Sequence, residues 1–260
     1  MIKTIQTDRF TMDYAVFGNG GTPFVILPGI SMKPVTPSEK ALQAGFRDFT
    51  ESHTVYLFDR VRNLPDAYPV KDMAKDTADA MRTLGLSHAD VYGASQGGMI
   101  ALSLALDAPE LVDRMVLAGT CSRMNAVSSA VLSKWAEMAR RGEGNPLNEA
   151  MFDGMFTDPF LAQYRHILLA VNADPSKEEL RRIGILCEAC LTFDVYDRLG
   201  EIKQKTWVAG GSEDAILTPE ASCEIAEKVG GLCTIYEGYR HAFYDEVPDF
   251  RSQMLAFLLS

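Results

Sequence analysis

The sequence predicts an α/β fold: a mostly parallel sheet flanked by helices, with one long helical insertion. Three observations carry this. Short apolar runs of strand character alternate with stretches of helical period over most of the 260 residues. One such run, Ala89–Tyr92, passes through Gly93-Ala94-Ser95-Gln96-Gly97 directly into a helix-forming segment that ends near Asp107. The alternation then lapses between Cys121 and about Gly200, where every apolar stretch has helical spacing, before it resumes.

In order along the chain, Thr4 to Phe17 reads as two short antiparallel strands, and Gly18-Asn19-Gly20-Gly21 as a turn. Phe24–Leu27 is a buried strand that ends at Pro28-Gly29. Ser38 to Phe49 is expected as a helix capped by Ser38, and Thr54–Asp59 as the next strand. Val70 to Leu84 carries apolar residues at helical spacing, and Gly85 ends it. After the Ala89–Tyr92 strand and the Gly98–Asp107 helix, Pro109 stops the helix and Arg114–Gly119 forms a strand.

The insertion offers helices at Ala126–Arg141, Asn148–Phe156, Pro159–Val171 and Lys177–Cys190. It is too long and too apolar for a loop. Beyond it, Lys205–Ala209 and Leu232–Tyr236 are strands. Thr218–Val229 is a helix with Thr218 as cap and Pro219 in its first turn, and Val247–Leu259 is a closing helix.

Bulk properties narrow the function. A net charge of −10 argues against nucleic acid or an anionic membrane as partner. No apolar run approaches ~18 residues, so no membrane span is expected. Residues 1–10 alternate polar and apolar without a signal-peptide core, so the cytoplasm is the expected location. The five cysteines (Cys121, Cys187, Cys190, Cys223 and Cys233) are odd in number and scattered, which suits a reducing compartment. Cys187 and Cys190 form a lone C-x-x-C in a helical segment. With neither a second pair nor a nearby His, it reads as core packing and not as a metal site.

A Ser flanked by Gly at −2 and +2 between a strand and a helix is a nucleophile-elbow pattern. A turn that tight strains the Ser backbone, leaves no room for a Cβ at Gly93 or Gly97, and pushes the hydroxyl out of the sheet's carboxyl edge. A Ser hydroxyl needs a base, and His is the usual one. Of four histidines, His53 and His88 precede strands at the opposite edge and are expected as ordinary surface residues. His166 lies in the middle of an insertion helix. His241 follows the last strand and projects from the same edge as Ser95, so it is the expected base. The strand from Lys205 delivers Gly210-Gly211-Ser212-Glu213-Asp214 to that edge. Asp214 is the expected carboxylate that orients His241, with Glu213 pointing away. Oxyanion donors are expected at the N–H of Gln96, directly after the nucleophile, and at the N–H of Ile30 in Leu27-Pro28-Gly29-Ile30-Ser31.

These motifs and their Ser…Asp…His order resemble the α/β-hydrolase fold family, over essentially the whole chain. The resemblance implies an eight-stranded core, residues 1–122 and 200–260, with a helical cap, residues 123–199, between the sixth and seventh strands. It implies a serine hydrolase that cleaves a carboxylic ester or related acyl bond through an acyl-enzyme, with no metal or cofactor. The same parts serve acyltransferases, C–C bond hydrolases, cofactor-free peroxidases and non-enzymatic ligand receptors. A Ser nucleophile, in place of Asp, weighs against the haloalkane dehalogenase and epoxide hydrolase branches. Two loops depart from the family pattern. The oxyanion loop begins Pro28-Gly29 where His-Gly is usual, and Arg60-Val61-Arg62-Asn63-Leu64-Pro65 lacks the usual glycines.

The insertion is rich in Met and aromatics, most of them expected to pack within it. Trp135, Met155, Phe156, Phe160 and Tyr164 are the expected lining of an apolar pocket for a small acyl substrate. Apolar faces left over must meet the sheet edge, the substrate or a second subunit, so a homodimer is among the expected partners.

Overall fold

A computed structural model describes residues 1–260. Eight strands form one sheet: β1 (Ile2–Gln6), β2 (Thr11–Gly18), β3 (Thr22–Leu27), β4 (His53–Val61), β5 (Ala89–Ala94), β6 (Val112–Ala118), β7 (Lys205–Gly211) and β8 (Leu232–Tyr236). Their spatial order is β1-β2-β4-β3-β5-β6-β7-β8. β2 runs antiparallel to β1 and β4, and every later pairing is parallel.

Alternate residues of the central strands serve opposite faces, as a pleated strand requires. Val25 and Leu27 of β3 join a cluster of 54 buried residues, and Phe24 and Ile26 join a second cluster of 20. The larger face is covered by α2 (Val70–Thr83), α3 (Gln96–Asp107) and α8 (Pro219–Val229), and the smaller by α10 (Phe250–Leu258). Coverage on both faces explains why these strands read as unbroken apolar runs.

The chain leaves β3 toward β4 and leaves β5 toward β6, on opposite sides. That reversal makes a topological switch point at the carboxyl ends of β3 and β5, where open α/β sheets place their ligands.

Between β6 and β7 come α4 (Ala126–Arg141), α5 (Gly144–Met155), α6 (Asp158–Asn172) and α7 (Lys177–Leu191). Asn125 caps α4, accepting from Ser128 N at 2.9 Å, and Ser176 with Glu179 builds a capping box on α7. α4 and α7 feed Leu132, Trp135, Ala136, Ile183 and Leu186 into the larger sheet-face cluster, so the insertion shares its core with the sheet.

Several expected boundaries move. The Ser38–Phe49 helix is three pieces: a 3-10 turn at Thr36–Ser38, α1 (Glu39–Gly45), and a 3-10 turn at Arg47–Phe49. Ser38 makes no capping bond, and the break lets Phe46 and Phe49 both turn inward. The glycine-rich stretch after α4 is shorter than expected. Gly142 closes α4 at φ +77°, and α5 begins two residues later with Pro146 in its first turn. Thr218 precedes α8 at φ +64° without a side-chain cap. The closing helix starts three residues later than expected, as α10, and a short separate helix, α9 (Phe243–Glu246), precedes it. No helix is long and apolar enough to cross a membrane.

Candidate active site

β5 delivers Ser95 to the carboxyl edge at φ +54°, ψ −123°, a strained conformation for a residue with a Cβ. The two glycines are needed as the sequence suggests. A Cβ on Gly93 would lie 2.5 Å from Gly97 O, and one on Gly97 1.9 Å from Leu27 O. The Ser95 N–H donates to Ala118 O at 2.8 Å, and its carbonyl accepts from Thr120 Oγ1 at 2.8 Å.

His241 packs against the residue between those two. A Cβ on Gly119 would lie 3.4 Å from the His241 ring. His241 is buried, and its Nδ1 lies 2.7 Å from Asp214 Oδ2. Ser95 Oγ and His241 make no hydrogen bond with each other in this structure, a contact that commonly tightens only with substrate.

The other Asp214 oxygen accepts from the N–H groups of Ile216 at 2.8 Å and Leu217 at 3.0 Å. Burial pushes this carboxyl up, but the His241 ring and the two N–H donors outweigh it and hold the carboxyl below its ordinary value. Glu213 is exposed, as expected.

The loop after β3 faces Ser95: a Cβ on Gly29 would lie 3.0 Å from Ser95 Cβ. Neither the Ile30 N–H nor the Gln96 N–H is taken up by a carbonyl of the protein. The Gln96 N–H also stands at the first turn of α3, where partial positive charge collects.

Two arginines lie under this loop, outside the residues expected from the sequence. Arg60, at the end of β4, is buried and donates to Pro28 O at 2.8 Å and to Gln96 Oε1 at 3.0 Å. Gln96 Nε2 in turn donates to Leu186 O of α7 at 2.7 Å. Arg182 of α7 donates to Ser31 O at 3.1 Å and to Asp59 Oδ1 at 2.9 Å, while Asp59 Oδ2 accepts from Val35 N at 2.7 Å. The loop that lacks the usual His is therefore held by two arginines. Burial, aided by nearby Arg182, pulls the Arg60 guanidinium down to about 10, and its Nε has no hydrogen-bond partner. The signal in the sequence was the charged pair Asp59-Arg60 closing an apolar strand.

The insertion grips the other side of the site. Ala242 N donates to Met155 O at 2.8 Å, and Arg240 donates to Phe156 O at 2.8 Å and pairs with Asp158 at 3.0 Å. Phe152, Phe156, Leu161 and Ala242 form a buried cluster. Phe156 and Phe160 stack at 4.6 Å, and Phe160 meets Tyr164 at 4.7 Å, so an aromatic row runs from beside His241 outward along α6. Met155 packs between this cluster and the main core. Trp135 stands apart from the row, buried in the main core near Gly154 and Ile216. His166 and His88 are exposed.

His53 is a correction. It is buried, not on the surface, with Nε2 3.0 Å from Asp90 Oδ2 and Nδ1 2.7 Å from Ser52 Oγ.

The profile of the family described as alpha/beta hydrolase fold matches residues 23–164, more than half of the chain. The chain belongs to the α/β-hydrolase fold family. It is 26% identical over 232 residues to RutD of Rhizobium rhizogenes, named as a candidate carbamate hydrolase, covering 85% of this chain and 86% of that protein. It is 29% identical over 188 residues to a 2-hydroxy-6-oxononadienedioate/2-hydroxy-6-oxononatrienedioate hydrolase of Comamonas testosteroni, covering 66% of this chain and 62% of that protein. Among solved structures, MGS-M2, an α/β hydrolase from a Medee basin deep-sea metagenome library, superposes with a TM-score of 0.89 at 21% identity, covering 99% of this chain and 98% of that one.

Proposed function

We propose that this protein is a serine hydrolase that cleaves a carboxylic ester or related acyl bond through an acyl-enzyme on Ser95. The observation that carries the reading is the strained Ser95 backbone at φ +54° beside two N–H groups that no carbonyl of the protein accepts. Ser95 Oγ attacks the substrate carbonyl carbon while His241 takes its proton. The N–H groups of Gln96 and Ile30 hold the oxyanion, each worth ~3 kcal/mol in the transition state. The tetrahedral intermediate collapses as His241 passes the proton to the leaving group. Water, deprotonated by His241, then attacks the acyl-enzyme and releases the acid. Asp214 keeps the imidazole in the tautomer whose Nδ1 carries hydrogen, and stabilises the imidazolium. This chemistry calls for no metal or cofactor.

In this reading residues 123–199 cap the core made by 1–122 and 200–260. Met155, Phe156, Phe160 and Tyr164 line the acyl pocket, and Trp135 supports it from behind. The partner is a small acyl substrate, and the five free thiols favour the cytoplasm. Carbamates and C–C bonds, named for the two relatives, can be attacked by the same groups and belong on the substrate panel.

The test is fluorophosphonate labelling with turnover of p-nitrophenyl esters of graded acyl length. Wild type should label on Ser95 and turn over. Ser95→Ala should lose several orders of magnitude, keeping ~10³-fold over water from the oxyanion donors, with unchanged circular dichroism. Near-wild-type turnover by a folded Ser95→Ala would overturn the proposal. Phe156→Ala or Tyr164→Ala should shift the preferred acyl length while leaving Ser95 labelling intact.

A further inference from the structure

Two of the five cysteines are neither buried nor scattered in space. Cys223 on α8 and Cys233 on β8 are exposed, and their Sγ atoms lie 3.1 Å apart. The other three, Cys121, Cys187 and Cys190, are each at most 1% exposed. We propose that Cys223 and Cys233 are a disulfide-forming site, oxidised in the folded protein by a low-molecular-weight disulfide.

The geometry asks for little. A disulfide needs its sulfurs at about 2.05 Å, and these two already face each other across adjacent elements. The reaction is thiol–disulfide exchange. Cys223, as thiolate, attacks one sulfur of the small disulfide and forms a mixed disulfide as the first small thiol leaves. Cys233 then loses its proton and attacks Cys223 Sγ, releasing the second small thiol. Two protein thiols are oxidised and one disulfide is reduced to two thiols, so electrons and protons balance. The same steps run with the two roles exchanged, since the sulfurs face each other at 3.1 Å, and partial burial and the neighbouring sulfur push the Cys233 thiol up.

The position gives the bond a consequence. β8 is the last strand of the sheet, paired only with β7. α8 follows the loop that holds Asp214, and β8 leads into the loop that holds His241. A bond between them would tie the edge strand to its covering helix and brace the stretches that carry the proposed acid and base. The site's chemistry does not depend on the hydrolase reading.

The experiment treats native, reduced protein with oxidised glutathione, then blocks free thiols and digests with trypsin. Lys228 lies between the two cysteines, so the bond appears as two peptides, ending at Lys228 and Arg240, joined through sulfur. Wild type should lose both fast-reacting thiols and gain that linked pair. Cys233→Ser should stop at one glutathione on Cys223. The linked wild type should melt at a higher temperature than its reduced form, a rise that Cys223→Ser should not show. Retention of both thiols, glutathione on each without a linked pair, or linkage only after unfolding would each overturn the site. A linked protein that melts no higher would overturn the bracing.

Discussion

Ser52, His53 and Asp90 at the amino edge of the sheet can be set beside Ser95, His241 and Asp214 at the carboxyl edge. Each group has a buried His within 3.0 Å of a buried carboxylate. At the amino edge the Ser is even hydrogen-bonded to its His, at 2.7 Å, which Ser95 is not. The surroundings separate them. Ser52 has no left-handed backbone, and its loop is pressed by Gly20, where a Cβ would lie 2.0 Å from Ser52 C. It opens no helix, and its carbonyl already accepts from Thr22 N. Ser95 stands at the start of α3 with N–H groups to spare. A string of Ser, His and Asp contacts is therefore cheap to build and can be purely structural. The strained turn and the free N–H groups are what set Ser95 apart, and in the proposed reading they are what make it reactive.

The sharpest way to break this comparison is at the serines. Ser95→Ala should cost several orders of magnitude in ester turnover, and Ser52→Ala should cost none. The carboxylates come next. Asp214→Asn should lower the acylation rate by ~10⁴, because it favours the wrong imidazole tautomer. Asp90→Asn and Glu213→Gln should each change it less than about tenfold.

The third contrast is in stability. His53→Ala leaves the Asp90 carboxylate buried with only Arg114 nearby, at 3.5 Å, and should cost about 3 kcal/mol in urea unfolding while kcat stays at the wild-type level. Arg182→Met should cost less, because Asp59 loses its ion-pair partner but keeps the N–H donors of Val35, Thr36 and Arg60, and should also lower kcat because Ser31 loses its anchor.

The fourth is pH. Asp214 is held below its ordinary value of 3.8, so its ionised form adds stability fully above that value. This contribution is lost as pH falls through the lower, folded value. The melting-temperature gap between wild type and Asp214→Asn should close as pH drops below 3.8, and a gap that widened there would contradict the assignment. The smallest effect is the stability change in Ser52→Ala, ~1 kcal/mol for one hydrogen bond.

The contrast also shows what a sequence can carry. The placement of Ser95, Asp214 and His241 at one sheet edge was legible because each follows a strand there and the glycines around Ser95 have a steric reason. The helices were legible in kind but not always in extent. The Gly142–Pro146 stretch looked like a single break because a left-handed stop and a proline-bearing start sit two residues apart. His53 read as surface because nothing local marks it. The Asp90 that buries it lies 37 residues on, and only strand pairing brings them together. Arg182 was invisible as a loop holder for the same reason, lying 123 residues from Asp59. That Pro28-Gly29 stands where the family usually has His-Gly was legible, but that Arg182 holds this loop was not.

The shared core has a consequence for anyone who would exchange parts. One hydrophobic cluster runs from Ile5 of β1 through the sheet face to Leu186 of α7. Gln96 and Arg182 bolt α7 to the elbow and to β4. A chimera that carried α4–α7 from another hydrolase would have to rebuild that seam, apolar and charged halves together, before it could bind anything new. The short row on α6, outside the seam, is the part evolution or an engineer can rewrite first.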